Sequence, residues 1–193
     1  MRNYFLTFFM FVSILGIAQN EESSTRKFID KAQFTQINKD WNTIANFSSG
    51  IGEYVNFYPI EVIDLKTGNK VNALQLDMFI KNPDLYKTAW VGLDEIDEFI
   101  YFIETNVIPN LDLKFKKKST EFIFKAKEMT FSYIVDEKRK RISIWINNYE
   151  KEGNLNFYFW TESQVDRIPD LLKVLKILNS FNLTEYHDTI RNL

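Results

Sequence analysis

Between Thr120 and Thr161 the pattern of apolar residues admits one consistent arrangement of faces. Thr120–Ala126, Met129–Asp136, Arg141–Asn148 and Leu155–Thr161 read as strands, and their short connections imply an antiparallel meander. Setting Ala126 opposite Met129 brings Phe124 to Phe131 and Phe122 to Tyr133. Setting Asp136 opposite Arg141 brings Val135 to Ile142, Tyr133 to Ile144 and Phe131 to Ile146. Setting Asn148 opposite Leu155 brings Ile144 to Phe159 and Ile146 to Phe157. All three pairings put the same apolar set on one face, and a slip of one residue would scatter it. Agreement among independent pairings is stronger support than any single strand pattern.

Elements outside the meander are read one at a time. Phe28 to Phe47 shows a loose helical period through Phe28, Ile29, Ala32, Ile37, Trp41, Ile44 and Ala45. Ile60–Leu65 and Val71–Ile80 read as two strands joined at Lys66-Thr67-Gly68, with Gly68 available for a left-handed position. Leu74, Leu76, Met78 and Ile80 alternate with Gln75, Asp77 and Phe79, as a half-buried strand would. Thr88–Gly92 reads as a short strand. Asp94 suits an N-cap, and Glu95, Asp97 and Glu98 suit the positive end of a helix. Ile96, Phe99, Ile100, Ile103 and Val107 then form one apolar stripe running to Pro109. Thr161-Glu162-Ser163-Gln164 fits a capping box before a last helix carrying Val165, Ile168, Leu171, Leu172, Leu175 and Leu178. Pro169 there implies a kink, or a short turn ahead of the main helix.

The order is α+β: an antiparallel meander of about seven strands, packed by an inserted helix and a C-terminal helix. This order resembles a pleckstrin-homology-type half-barrel with one inserted helix. An open curved sheet backed by both helices fits equally well.

Met1-Arg2-Asn3 is positively charged, Tyr4 to Leu15 is nearly all apolar, and Gly16-Ile17-Ala18 is followed by polar Gln19-Asn20-Glu21-Glu22. That layout is a secretory signal peptide, with cleavage expected between Ala18 and Gln19. As a helix, Tyr4–Ala18 would reach only about 22 Å across a hydrocarbon layer of roughly 30 Å. The expected organisation is therefore a signal peptide at 1–18, a flexible tether at 19–27, one domain at 28–181 and a polar tail at 182–193. The product is expected in the periplasm or secreted, with no transmembrane anchor after cleavage. It is not lipidated, since there is no cysteine to carry a lipid.

The chain has 193 residues, no Cys, one His and a formal net charge of −2. Without Cys there are no disulfides, so stability must come from the core. Thiol catalysis and cysteine-based metal sites are also excluded. The charge gives no pull toward nucleic acid, and no cofactor is implied. His187 stands in the polar tail, where a Ser-His-Asp arrangement is not expected. Ser24 to Lys27 and Lys66-Thr67-Gly68 match penicillin-binding enzyme spacings, but Ser24 falls in the tether and no Ser-Asp-Asn follows. The acids at Asp94, Glu95, Asp97 and Glu98 lack the spacing of a calcium loop and are better read as helix capping. The basic runs at Lys114–Lys118 and Lys138–Arg141 suit solvated turns, or contact with anionic envelope material.

The second face of the meander is largely polar, yet carries Trp145, Tyr158 and Trp160. The register sets Trp145 opposite Tyr158, with Trp160 on the diagonal. Contiguous aromatics on a polar face mark a ligand or partner surface. The competing expectation is a helix, such as the one from Asp94, covering them as a second core. The leading functional expectation is an exported, non-catalytic domain binding an envelope protein or glycan. The alternative is a carboxylate-dependent hydrolase of an envelope polymer.

Overall fold

A computed structural model describes residues 22–81, 83–147 and 157–191, with side chains described as far as Phe181. The fold is α+β, with antiparallel sheets and three α-helices. The expected signal peptide and the Ala18–Gln19 junction lie outside the described residues.

The meander is present as a sheet of four strands: β6 (Thr120–Lys125), β7 (Met129–Val135), β8 (Lys140–Ile146) and β9 (Phe157–Thr161). Phe124 pairs with Phe131 and Phe122 with Tyr133. Ile144 pairs with Phe159 and Ile146 with Phe157. Between β7 and β8 the expected register is corrected by two residues: Tyr133 meets Ile142, Phe131 meets Ile144 and Met129 meets Ile146. A slip of two keeps every side chain on its face, so face patterning could not detect it. Turn chemistry selects the shorter loop. The Asp136 carboxylate accepts the N–H groups of Lys138 (2.7 Å) and Arg139 (2.8 Å), closing a tight Asx-type turn.

A second sheet precedes it: β1 (Thr35–Lys39), β2 (Ala45–Ser48), β3 (Tyr54–Asp64), β4 (Lys70–Ile80) and β5 (Leu85–Gly92). The order is β1-β3-β4-β5, and β2 shares the edge of β3 with β1. Gly68 takes the left-handed conformation at φ 75° in the β3–β4 loop. Among the described residues nine strands in two sheets thus stand where a meander of about seven was expected, because residues 28–47 are mostly not helical. Thr35 to Lys39 places Ile37 and Lys39 on one face at the two-residue period of a strand. That period had been masked by the looser helical one.

The helix α1 (Ser24–Lys31) begins inside the stretch expected as a tether. Ser23 caps it, accepting the Arg26 N–H, and is fully buried. Glu128, at the β6–β7 turn and 0 % exposed, holds this helix in place. It accepts hydrogen bonds from the Ser23 amide (3.2 Å) and hydroxyl (2.5 Å), from Arg26 Nε and Nη2 (2.9 and 2.8 Å), and from the Trp90 amide (3.1 Å). The last of these satisfies a donor on the edge strand β5. Phe28 and Ile29 pack on Tyr58, Ile60, Val62 and Ala73, the smaller of two hydrophobic clusters.

The helix α2 (Leu93–Phe102) continues as a π-helical turn, Ile103–Val107, and a 3-10 turn, Ile108–Asn110. Pro109 has no N–H to extend an α-helical ladder. Ile96, Phe99, Ile103 and Val107 are all fully buried, as their spacing implied. Phe99 stacks on Phe124 with centroids 4.4 Å apart, joining α2 to the inner face of β6 and β7. Gly92, not Asp94, holds the N-cap position. A Cβ at Gly92 would lie 2.1 Å from Ser24 Oγ. Asp94 instead accepts from the Ser24 hydroxyl and from Lys127 Nζ, each at 2.6 Å. The expected capping box at Thr161 does not form either, because Thr161 ends β9 and donates its hydroxyl to the Ser48 carbonyl. A short 3-10 turn, Val165–Arg167, then leads into α3 (Ile168–Arg191), with Pro169 in its first turn. The region expected as a polar tail therefore continues the helix to Arg191. Ile168, Leu171, Leu175 and Leu178 join the main core with α2 and the inner faces of both sheets. No helix among the described residues is long and apolar enough to cross a membrane.

Candidate functional site

The outer face of the four-stranded sheet carries the three aromatics singled out by the sequence. Trp145 lies opposite Tyr158, and Ser143 opposite Trp160. The Trp145 and Tyr158 rings lie 4.8 Å apart at 35° and are half-buried. Trp160 is 45 % exposed, with the Arg141 guanidinium 4.4 Å above its ring. Arg141 is held there by Glu162, 2.8 Å away. Ser143, beside Trp160, and Ser132, opposite Ser143 on the next strand, are fully buried. The Ser143 hydroxyl is 3.2 Å from that of Tyr158, whereas the buried Ser132 Oγ has no hydrogen-bond partner. The helix from Asp94 packs on the opposite face of this sheet, through Phe99 against Phe124 and Phe131.

A second constellation, missed in the sequence, lies on the outer face of the five-stranded sheet. Its centre is Asp77, only 3 % exposed although its strand alternation suggested a solvated side. Asp77 Oδ1 accepts from Gln75 Nε2 (2.8 Å) and the Thr88 hydroxyl (2.7 Å). Asp77 Oδ2 accepts from the Tyr58 hydroxyl, and Lys39 Nζ lies 3.9 Å away. Burial pushes the Asp77 carboxyl up, but the donors from Tyr58, Thr88, Gln75 and Tyr86 together hold it below the usual carboxylate range. Burial and the neighbouring Asp77 charge raise both tyrosine hydroxyls above their ordinary range, so both stay protonated donors. Gln75 further links Tyr58, at 2.9 Å, to the Trp90 indole N–H, at 3.3 Å. Trp41 packs over Tyr58 at 4.9 Å, and Lys39 Nζ lies 5.5 Å from the Tyr58 ring centroid. The strand order supplies Tyr58, Asp77 and Thr88 from three different strands, which no local motif could have announced.

Lys114 of the first basic run and Lys138, Arg139 and Lys140 of the second line a cleft of about 620 Å³. Asp112, Asp136, Glu137, Glu162 and Asp166 line the same cleft, so its cations are matched by acids. Among the described residues, no three His, Cys, Asp or Glu side chains gather closely enough to hold a metal ion. Ser24 and the Lys66-Thr67-Gly68 turn have separate structural roles: Ser24 bonds Asp94, and Lys66 and Thr67 bond Asp64. In comparison with known proteins, the chain matches no family model and no curated protein.

Proposed function

We propose that the chain is an exported, non-catalytic binding domain that engages an envelope glycan or protein through Trp145, Tyr158 and Trp160. The observation that carries this reading is the exposed Trp160 ring beside the tilted Trp145–Tyr158 pair, on the sheet face turned away from α2. A cluster of large rings set among short polar side chains offers flat apolar contact with little entropy to lose on binding. The experiment is retention of the purified protein on isolated envelope material, compared with Trp145→Ala and Trp160→Ala. Each variant should lose at least tenfold in affinity, and equal retention of all three proteins would remove the site. Export has its own test: mass spectrometry of the native protein should find an N-terminus near Gln19, and intact Met1 on cytosolic protein would overturn it.

The hydrolase alternative has its best location in the cleft where Asp112, Asp136, Glu137, Glu162 and Asp166 meet. It predicts that one of these acids, replaced by its amide, abolishes release of sugar from an envelope polymer.

A further inference from the structure

The helix α1 covers only part of the outer face of the five-stranded sheet, where Ile60, Val62 and Ala73 lie. The registers define three further transverse rows, the first at the edge of that cover, since Tyr58 and Trp90 belong to the same cluster as Phe28 and Ile29 and Tyr58 is fully buried. Tyr58, Gln75 and Trp90 form one, Asn46, Asn56, Asp77 and Thr88 the next, and Ser48, Tyr54, Phe79 and Tyr86 the third. A polar row thus runs between two rows rich in aromatic rings. Two rings stand out toward solvent, Trp41 at 61 % exposure above Tyr58 and Tyr86 at 56 % on the far side of Asp77. Tyr54 and Phe79 stack at 5.5 Å in the third row. The Asn46 and Asn56 amides are half-buried and joined at 2.5 Å.

A carboxylate withdrawn almost wholly from solvent on an outward sheet face carries a large desolvation cost, and the donors around it are largely consumed in offsetting that cost. What the network supplies is rigidity. It fixes the Tyr58 hydroxyl, ties Thr88 and Gln75 to the same carboxylate, and holds Lys39 beside Asp77. A ligand would meet ring faces already in place and amide groups between them. Local charge decides the ligand class. Asp77 and Lys39 cancel, and the Lys39 ammonium already lies over the Tyr58 and Trp41 rings, where an incoming cation would sit. An anion would face Asp77. The complement of this surface is an uncharged molecule with apolar C–H faces for the rings and hydroxyls for the amides and the ammonium.

We infer that the outer face of the five-stranded sheet is a saccharide-binding site, built from Trp41 and Tyr86 around the Asn46–Asn56–Asp77 row and separate from the Trp145 patch. The test is titration of the purified protein with cellohexaose, chitohexaose, laminarihexaose and maltohexaose, read by calorimetry and tryptophan fluorescence. At least one should bind and change the fluorescence. Trp41→Ala and Tyr86→Ala should each weaken it about tenfold, since ring contacts are worth on the order of that factor. Tyr101→Ala, which removes an exposed ring from α2, should leave it unchanged. Circular dichroism checks that each variant is folded. No binding of any of the four sugars at millimolar concentration would overturn the inference, as would binding indifferent to Trp41 and Tyr86. Binding lost only in Trp160→Ala would also overturn it while supporting the first site. Self-association abolished by Trp41→Ala would assign the face to a second copy of the chain and overturn it as well.

Discussion

Glu128 shows how much one side chain can be asked to hold. It is fully buried, and Arg26 supplies its only charge-compensating bidentate contact among the described ion pairs. Arg26→Ala should therefore cost about 3–5 kcal/mol, the usual result of stranding a buried charge. A urea midpoint that moves by less than the equivalent of 1 kcal/mol would refute this. Glu128→Gln in the same background should recover part of the loss. Asp77 and Glu95 make opposite predictions about pH. Asp77 is held below its ordinary range when folded, so its contribution is present above the unfolded carboxyl range near pH 4 and is lost as pH falls. Asp77→Asn should therefore flatten the acid limb of the stability curve. Glu95 is pushed up by burial, only partly offset by the Lys127 N–H at 2.7 Å, and its Oε2 is buried without a partner. Its contribution is full below the unfolded range near pH 4 and is lost as pH rises through its folded value. Glu95→Gln should therefore reduce the loss of stability on going from pH 4 to 7. Denaturant titrations from about pH 2 to pH 7 decide both, the acid end for Asp77 and the upper end for Glu95.

At the scale of elements, α1 is small in length and large in consequence. A chain lacking residues through Lys31 should uncover Ile60, Val62 and Ala73 and leave Glu128 without Ser23 and Arg26. It should bind a hydrophobic dye and melt well below the full protein, and an unchanged melting temperature would contradict this role. The sequence showed a helical period at Phe28 and Ile29 but neither the start of α1 nor its importance, because Ser23 and Arg26 are unremarkable until a turn 105 positions away meets them. The four-stranded meander was legible since its strands are adjacent and repeat the same apolar face. Its β7–β8 register was legible only modulo two, as Asp136 rather than Ile142 or Ile144 fixes the loop. The helix ends were legible in position more than in cap. Asp94 stood where an N-cap belongs but is engaged by Ser24 and Lys127. The same blindness hid the Asp77 network. Gln75 and Asp77 alternate with apolar residues as solvated side chains do, and only Tyr58 and Thr88 on neighbouring strands bury them. Trp145, Tyr158 and Trp160 were found because their partners lie on adjacent strands of a single hairpin.

For the molecule as a whole, two outward sheet faces carry aromatic rings, while both inner faces share one core with α2 and α3. With no cysteine in the chain, that core is the main source of stability. The Glu128 junction also sets an order of events during folding. Ser23 and Glu128 are 105 positions apart, so α1 has its anchor only after the β6–β7 hairpin has closed. Contacts of such separation form late, because the loop entropy must be lost before they return anything. The earliest described element in chain order should then be the last to settle. In refolding experiments, a fluorescent probe on α1 should report a slower phase than one on the β7–β8 hairpin, and coincident rates would exclude this order. Until the β6–β7 hairpin closes, Ile60, Val62 and Ala73 should lie bare, so the late folding intermediate carries an open apolar face that the finished protein hides.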